Sequence, residues 1–167
     1  RKPLVIHGAR QVGKTWALKY FGKVYFEDVA YFSLDKDESG LCDIFKTTKD
    51  PRRIIQQLSF LHGKKINPQT TLLILDEIQE CNEALNALKY FCEEAPEYAV
   101  ACAGSLLGIY LNHIGNSFPV GKVNHLSMYP LTFTEFLKTK DPNMYEYLCF
   151  IKEIAPLPQI FFDKLRE

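Results

Sequence analysis

Two hydrophobic rhythms alternate along the chain. One is a short, continuous apolar run. Pro3-Leu4-Val5-Ile6-His7, Ala30-Tyr31-Phe32-Ser33-Leu34, Thr71-Leu72-Leu73-Ile74-Leu75 and Tyr98-Ala99-Val100-Ala101-Cys102-Ala103 are of this kind. Such runs suit strands buried on both faces of a parallel sheet. A last strand is expected over Val123 to Tyr129, stopped by Pro130. The other rhythm is helical. Residues 14–21 are expected to form a helix that Gly22 ends, with Trp16, Tyr20 and Phe21 packing it on the sheet. Pro51 opens a second helix, capped by Asp50 and carrying Ile54, Ile55, Leu58 and Leu61 at helical spacing. Asn82 is expected to cap a third, with Leu85, Leu88, Phe91 and Cys92 on its apolar face and Pro96 after its end. Thr132 and Glu135 fit a capping box, and Leu131 with Phe136 fits the hydrophobic staple. Further helices are expected around 143–153 and from Pro158 onward, the second offering Phe161, Phe162 and Leu165 for apolar contacts. Polar stretches at 35–40, 63–69 and 115–122 read as loops.

Strands that alternate with helices predict an α/β fold, a parallel sheet covered on both faces. Composition adds bounds. Hydrophobic residues make up 47% and charged residues 24%, the balance of a soluble globular protein. Formal net charge is zero, so no bulk electrostatic grip on nucleic acid is indicated. No apolar run approaches a membrane span, and no signal peptide is visible, so the expected location is cytoplasmic. The chain starts at Arg1 rather than Met, and upstream sequence is expected. Cys42, Cys81, Cys92, Cys102 and Cys149 form no Cys-x-x-Cys pair and are odd in number. They read as small buried hydrophobes in a reducing compartment. His7, His62, His113 and His125 lack metal-ligand spacing.

Chemistry concentrates at the ends of the expected strands. Gly8-Ala9-Arg10-Gln11-Val12-Gly13-Lys14-Thr15 fits the phosphate-loop pattern, Walker A, at every fixed position, between a strand and a helix. In that setting backbone N–H groups form a nest for phosphate oxygens, and the helix amino end adds partial positive charge. Lys14 is expected to reach the β- and γ-phosphates and Thr15 to offer its hydroxyl to Mg²⁺. Trp16, next on the helix, joins the loop in the candidate cofactor-binding set, because an aromatic there can touch a base. Asp76-Glu77 follows the strand at 71–75, as in the Walker B pattern. Asp76 is the second candidate metal ligand, and Glu77 is placed to polarise an attacking water. Ser105, after the strand at 98–103, is a candidate sensor of the γ-phosphate; the alternative is a helix cap for Leu106-Leu107. The candidate catalytic set is therefore Glu77, Lys14 and Ser105. A strand and a helix separate the two motifs in the chain, an arrangement that resembles the P-loop ATPases carrying a glutamate beside the Walker B aspartate and implies a three-layer P-loop NTPase sandwich. Its sheet has about five strands, with an extra strand between the Walker A and Walker B strands.

These motifs resemble those of a family of AAA+-like ATPases of bacteria and archaea. The matching residues are Gly8 to Thr15, Leu75-Asp76-Glu77-Ile78-Gln79, Gly104-Ser105 and Pro130-Leu131-Thr132-Phe133-Thr134-Glu135-Phe136, over about residues 3–137. The resemblance implies an ATPase core over 1–137. It also implies that the helical segment 138–167 begins a lid or a linker to a second domain. Where the family often has Gly-Arg before the last strand, this chain has Gly121-Lys122, which keeps the charge and loses the planar fork. Two functions compete: Mg²⁺-dependent ATP hydrolysis that drives a conformational switch, and a nucleotide-binding signalling module with little turnover. A small-molecule kinase ranks below both, because no arginine-rich lid is visible. ATP or ADP is the expected ligand, with a homo-oligomer or a partner protein as the further partner.

Overall fold

The computed structural model describes residues 1–35, 40–105, 121–151 and 156–166. The chain divides into two compact units, Arg1–Tyr129 and Pro130–Glu167.

The first unit is built on a five-stranded sheet of β1 (Leu4–His7), β2 (Asp28–Ser33), β3 (Thr71–Asp76), β4 (Ala99–Gly104) and β5 (Asn124–Ser127), in the order β2-β3-β4-β1-β5. Every pairing is parallel. The strand that separates β1 from β3 in the sheet is β4, while β2, the strand between them in the chain, lies at the edge. Register aligns the ends: His7 pairs with Gly104, and Leu75 with Cys102. Gly8, Asp76-Glu77 and Ser105 therefore leave the sheet at the same end.

Burial on both faces accounts for the continuous apolar runs. On one face Ile6, Leu72, Ile74, Ala101 and Ala103 meet Leu18 of α1 (Lys14–Tyr25). On the other, Val5, Phe32, Leu73, Leu75, Val100 and Cys102 join residues of α2 (Leu41–Thr47), α3 (Pro51–His62) and α4 (Asn82–Glu94). Strand β3 is buried at every position. Asp50 caps α3 as expected, accepting from the Arg52 N–H at 2.9 Å.

Several local expectations need correction. Helix α1 does not stop at Gly22 but runs through it to Tyr25. A Cβ on Gly22 would lie 2.6 Å from Val29 Cγ2 and 3.2 Å from Leu72 Cδ2, so this glycine serves close helix–sheet approach rather than termination. Gly22→Ala gains about 1 kcal/mol of helix propensity. It must also displace a stiff β-branched neighbour, which costs about 1–3 kcal/mol. The expected outcome is a lowered urea midpoint, with net destabilisation of about 1 kcal/mol. Trp16 and Tyr20 do not pack on the sheet, and Phe21 lies only partly against it, beside Phe26. The three are 68%, 56% and 44% exposed, because Lys14, Leu18 and Gly22 occupy the inward face one turn apart. The cap position of α4 is Cys81, without a side-chain bond, and Asn82 is the first helical residue.

Cysteine chemistry also differs from expectation. Cys42 and Cys81 are joined by a disulfide that ties α2 to the start of α4, with Cα atoms 5.9 Å apart. Among the described residues these two and Glu83 make the one group with metal-ligand proximity, but sulfurs bonded to each other are not thiolate ligands. Cys102 is a buried thiol whose pKa burial pushes up. Cys149 is exposed.

At the start of β2, Asp28 accepts a 2.8 Å bond from His62 Nε2 and lies 3.6 Å from Lys64 Nζ. The His62 hydrogen bond, reinforced by both cations' charge, holds its carboxyl below the ordinary value of 3.8. A depressed carboxylate contributes stability that is present above its unfolded pKa and lost as pH falls through the lower folded one. Asp28→Asn is therefore expected to destabilise the chain at neutral pH. The difference from wild type should shrink below pH 3.8, read as urea midpoints across an acid series.

The second unit holds α5 (Phe133–Lys140), α6 (Pro142–Phe150) and α7 (Gln159–Arg166) around Leu137, Met144 and Phe161. The expected capping box is present: Thr132 Oγ1 accepts from the Glu135 N–H, and Glu135 Oε2 accepts from the Thr132 N–H at 2.8 Å. Leu131, Phe136 and Phe162 are exposed. The turn at 115–120, most of the acidic loop after Asp35, Leu106-Leu107 and the Leu165 side chain lie outside the described residues. Among the described residues no helix is long and apolar enough to cross a membrane.

Candidate functional site

The loop from Gly8 to Gly13 leaves β1 against the end of β5. A Cβ on Gly8 would lie 2.0 Å from the Met128 carbonyl oxygen, so only glycine allows the chain to turn there. Gln11 and Gly13 take left-handed backbone, φ 63° and 97°, and α1 begins at Lys14. No side chain caps this helix end, and its first turn carries no acid. Its unsatisfied N–H groups and partial positive charge stay available to an anion. Lys14 is only 5% exposed, and its Nζ donates to the carbonyls of Gly8 at 3.1 Å and Ala9 at 2.6 Å. Ala9, Arg10 and Gln11 are exposed, and Val12 is half-buried. Trp16 stacks on Tyr20 with centroids 5.1 Å apart, one turn along the exposed side of α1.

The end of β3 meets this loop. Asp76, 4% exposed, accepts from Thr15 Oγ1 at 2.8 Å and from the Tyr31 hydroxyl at 2.9 Å, both on Oδ2. The Glu77 N–H donates to Oδ1 of the same carboxylate at 3.1 Å. Burial, then the Asp76 bond, pushes the Tyr31 phenol up to about 12, so at neutral pH it acts as a donor. Glu77 takes left-handed backbone at φ 49°, which costs a non-glycine residue about 1–2 kcal/mol. Its Oε2 accepts from Gln79 Nε2 at 2.6 Å and from Ser105 Oγ at 3.2 Å. Gln79 Nε2 also donates to Glu80 Oε1 at 3.3 Å, while Gln79 Oε1 is buried with no partner among the described residues. An orphaned acceptor of this kind costs about 1–3 kcal/mol.

Thus Lys14, Thr15, Asp76, Glu77 and Ser105 come together from three strand ends. Lys122 is engaged elsewhere: its Nζ pairs with Glu93 of α4 at 2.9 Å, and that bond raises its pKa. Tyr31 and Gln79 were not singled out from sequence as site residues. Parallel register of β2 on β3, Ser33 beside Asp76, puts Tyr31 on the Asp76 face, so a pairing scheme would have flagged it. Gln79 stands inside the Asp-Glu-Ile-Gln run, but its burial follows from the 3₁₀ turn Ile78–Glu80, which pattern alone does not indicate. The donor set fits a phosphorylated anion and a hard cation: an uncapped helix end and a buried ammonium for the first, a hydroxyl beside a carboxylate for the second.

A family model described as AAA domain matches residues 1–137. Comparison with curated protein sequences gave no match. Among solved structures, PCH-2 of C. elegans superposes with a TM-score of 0.49 at 10% identity, covering 92% of this chain and 42% of that one. A DNA replication initiation factor gives 0.49 at 16% identity, covering 99% and 54%. Drosophila ORC bound to AT-rich DNA and Cdc6 gives 0.47 at 10% identity, covering 88% and 56%. The chain spans 42–56% of the length of these three, and superpositions this loose assign it no function.

Proposed function

The chain belongs to the AAA domain family, and on that premise we propose that it binds ATP with Mg²⁺ and hydrolyses it to drive a conformational switch. The observation that supports this most is the convergence of a buried ammonium, a hydroxyl–carboxylate pair and a second carboxylate at one sheet end. In this reading the backbone of residues 8–15 cradles the phosphates, with Trp16 beside it. Lys14 leaves the loop carbonyls for phosphate oxygens, trading two neutral acceptors for a charged one. Thr15 and Asp76 hold Mg²⁺, which when bound neutralises phosphate charge. Glu77 takes a proton from the attacking water, and Ser105 orients that carboxylate. The expected partner is a second copy or another protein that reads the switch.

The test is a binding titration of ATP, GTP and ADP with and without Mg²⁺, beside phosphate release by wild type and Glu77→Gln. Mg²⁺-strengthened ATP binding, with phosphate release that the substitution removes, is the expected result. A second reading, a nucleotide-gated module with little turnover, draws support from Lys122. Its Nζ pairs with Glu93 of α4 and, among the described residues, makes no bond to the loop from Gly8 to Thr15. Tight Mg²⁺-ATP binding without phosphate release at any protein concentration selects that reading.

A further inference from the structure

Gln79 has no part in the reading above, yet its environment is unusual. It is 4% exposed, with Nε2 donating to Glu77 and more weakly to Glu80, and with Oε1 buried and without a partner among the described residues. Packing alone does not explain a glutamine there. Methionine or leucine would fill a similar volume and orphan no acceptor. The residue is therefore held against stability, and the one strong interaction it makes is the 2.6 Å bond to the Glu77 carboxylate. Ser105 sends its hydroxyl to the same oxygen. No hydrogen bond from a described residue reaches the other, Oε1. The left-handed backbone of Glu77 is a second unfavourable feature two residues away, and it sets the direction from which the side chain starts. Two costs so close together, both bearing on one carboxylate, mark a group whose orientation matters more than its contribution to folding.

We propose that Gln79 is a positioning residue for Glu77. Its amide Nε2, with Ser105 Oγ, clamps one carboxylate oxygen and leaves the other to take the proton of a water attacking a nucleoside triphosphate. This rests on the hydrolytic reading. Gln79 touches neither nucleotide nor water; it acts through Glu77.

The test uses the whole chain, with Mg²⁺-ATP as ligand and phosphate release as rate. Gln79→Met and Gln79→Leu remove the donor and the orphaned acceptor together. Each is expected to lower kcat by about 10- to 100-fold, the scale for a misplaced reacting group. The Kd for Mg²⁺-ATP should stay the same, and the urea midpoint should stay the same or rise. In a Glu77→Gln background, Gln79→Met should cost nothing further in kcat, because its effect passes through that carboxylate. A merely structural glutamine gives the opposite signature: a lower midpoint, with Kd and kcat worsening together. That result overturns the proposal, as does unfolding of both variants. Wild-type turnover in the Gln79 variants, with Glu77→Gln inactive, overturns the clamp and leaves the hydrolytic reading standing. Equal turnover by wild type and Glu77→Gln, or none by wild type, overturns both.

Discussion

Glu77→Gln is expected to bind Mg²⁺-ATP as wild type does and to release phosphate about 100- to 10,000-fold more slowly, the range for loss of a general base. The substitution keeps shape and removes basicity. An amide oxygen still accepts from Gln79 and Ser105, which reach the present carboxylate at 2.6 and 3.2 Å, so the turn after β3 has no reason to rearrange. What disappears is a group able to take a proton from water. Binding is spared because, among the described residues, Glu77 makes no hydrogen bond to the loop from Gly8 to Gly13 or to Lys14, whose bonds run to the loop's own carbonyls. Single-turnover phosphate release and a fluorescent-nucleotide titration separate the two effects. Unchanged turnover would remove Glu77 from chemistry. A parallel loss of affinity would recast it as part of the binding surface.

Lys14→Ala carries the other large expected effect. ATP affinity should fall by about 100-fold or more, since removing one partner of a buried charge pair costs about 2–5 kcal/mol. Two losses add. The phosphates lose a buried ammonium, and the loop loses the cross-link from Nζ to the Gly8 and Ala9 carbonyls at 3.1 and 2.6 Å. Ala9 is exposed and Gly8 half-buried, so water can take over as donor and the cost to folding should stay near about 1 kcal/mol per bond. Calorimetric titration with ATP and ADP, beside a urea melt of the free chain, reads both. ATP affinity within threefold of wild type would show that the loop does not hold phosphate.

Much of this was legible from residue order. The strands at 4–7, 71–76 and 99–104 and the helix opened by Pro51 follow from runs and caps whose physics is local. The α/β class follows from their alternation, and the loop from Gly8 to Thr15 and the acids at the end of β3 from spacing alone. Where short-range rules misled, a contact distant in sequence decided. Gly22 looks like a helix stop until Val29 is found where a Cβ would go. The aromatic residues of α1 look like packing until Lys14, Leu18 and Gly22 take the inward face. Cys42 and Cys81 look like separate core fillers until α2 and α4 bring them together.

The pattern of apolar and polar residues determined that this chain folds as a parallel α/β domain and which strand ends carry the polar chemistry. Those are properties of neighbours along the chain, where burial and backbone geometry act residue by residue. Tertiary structure alone decided that β4 separates β1 from β3 and that Tyr31 meets Asp76. It also decided that Gln79 turns its amide onto Glu77 while its own oxygen has no partner among the described residues. Each of these depends on sheet order, register and close packing, which arise only when distant segments compete for the same buried space.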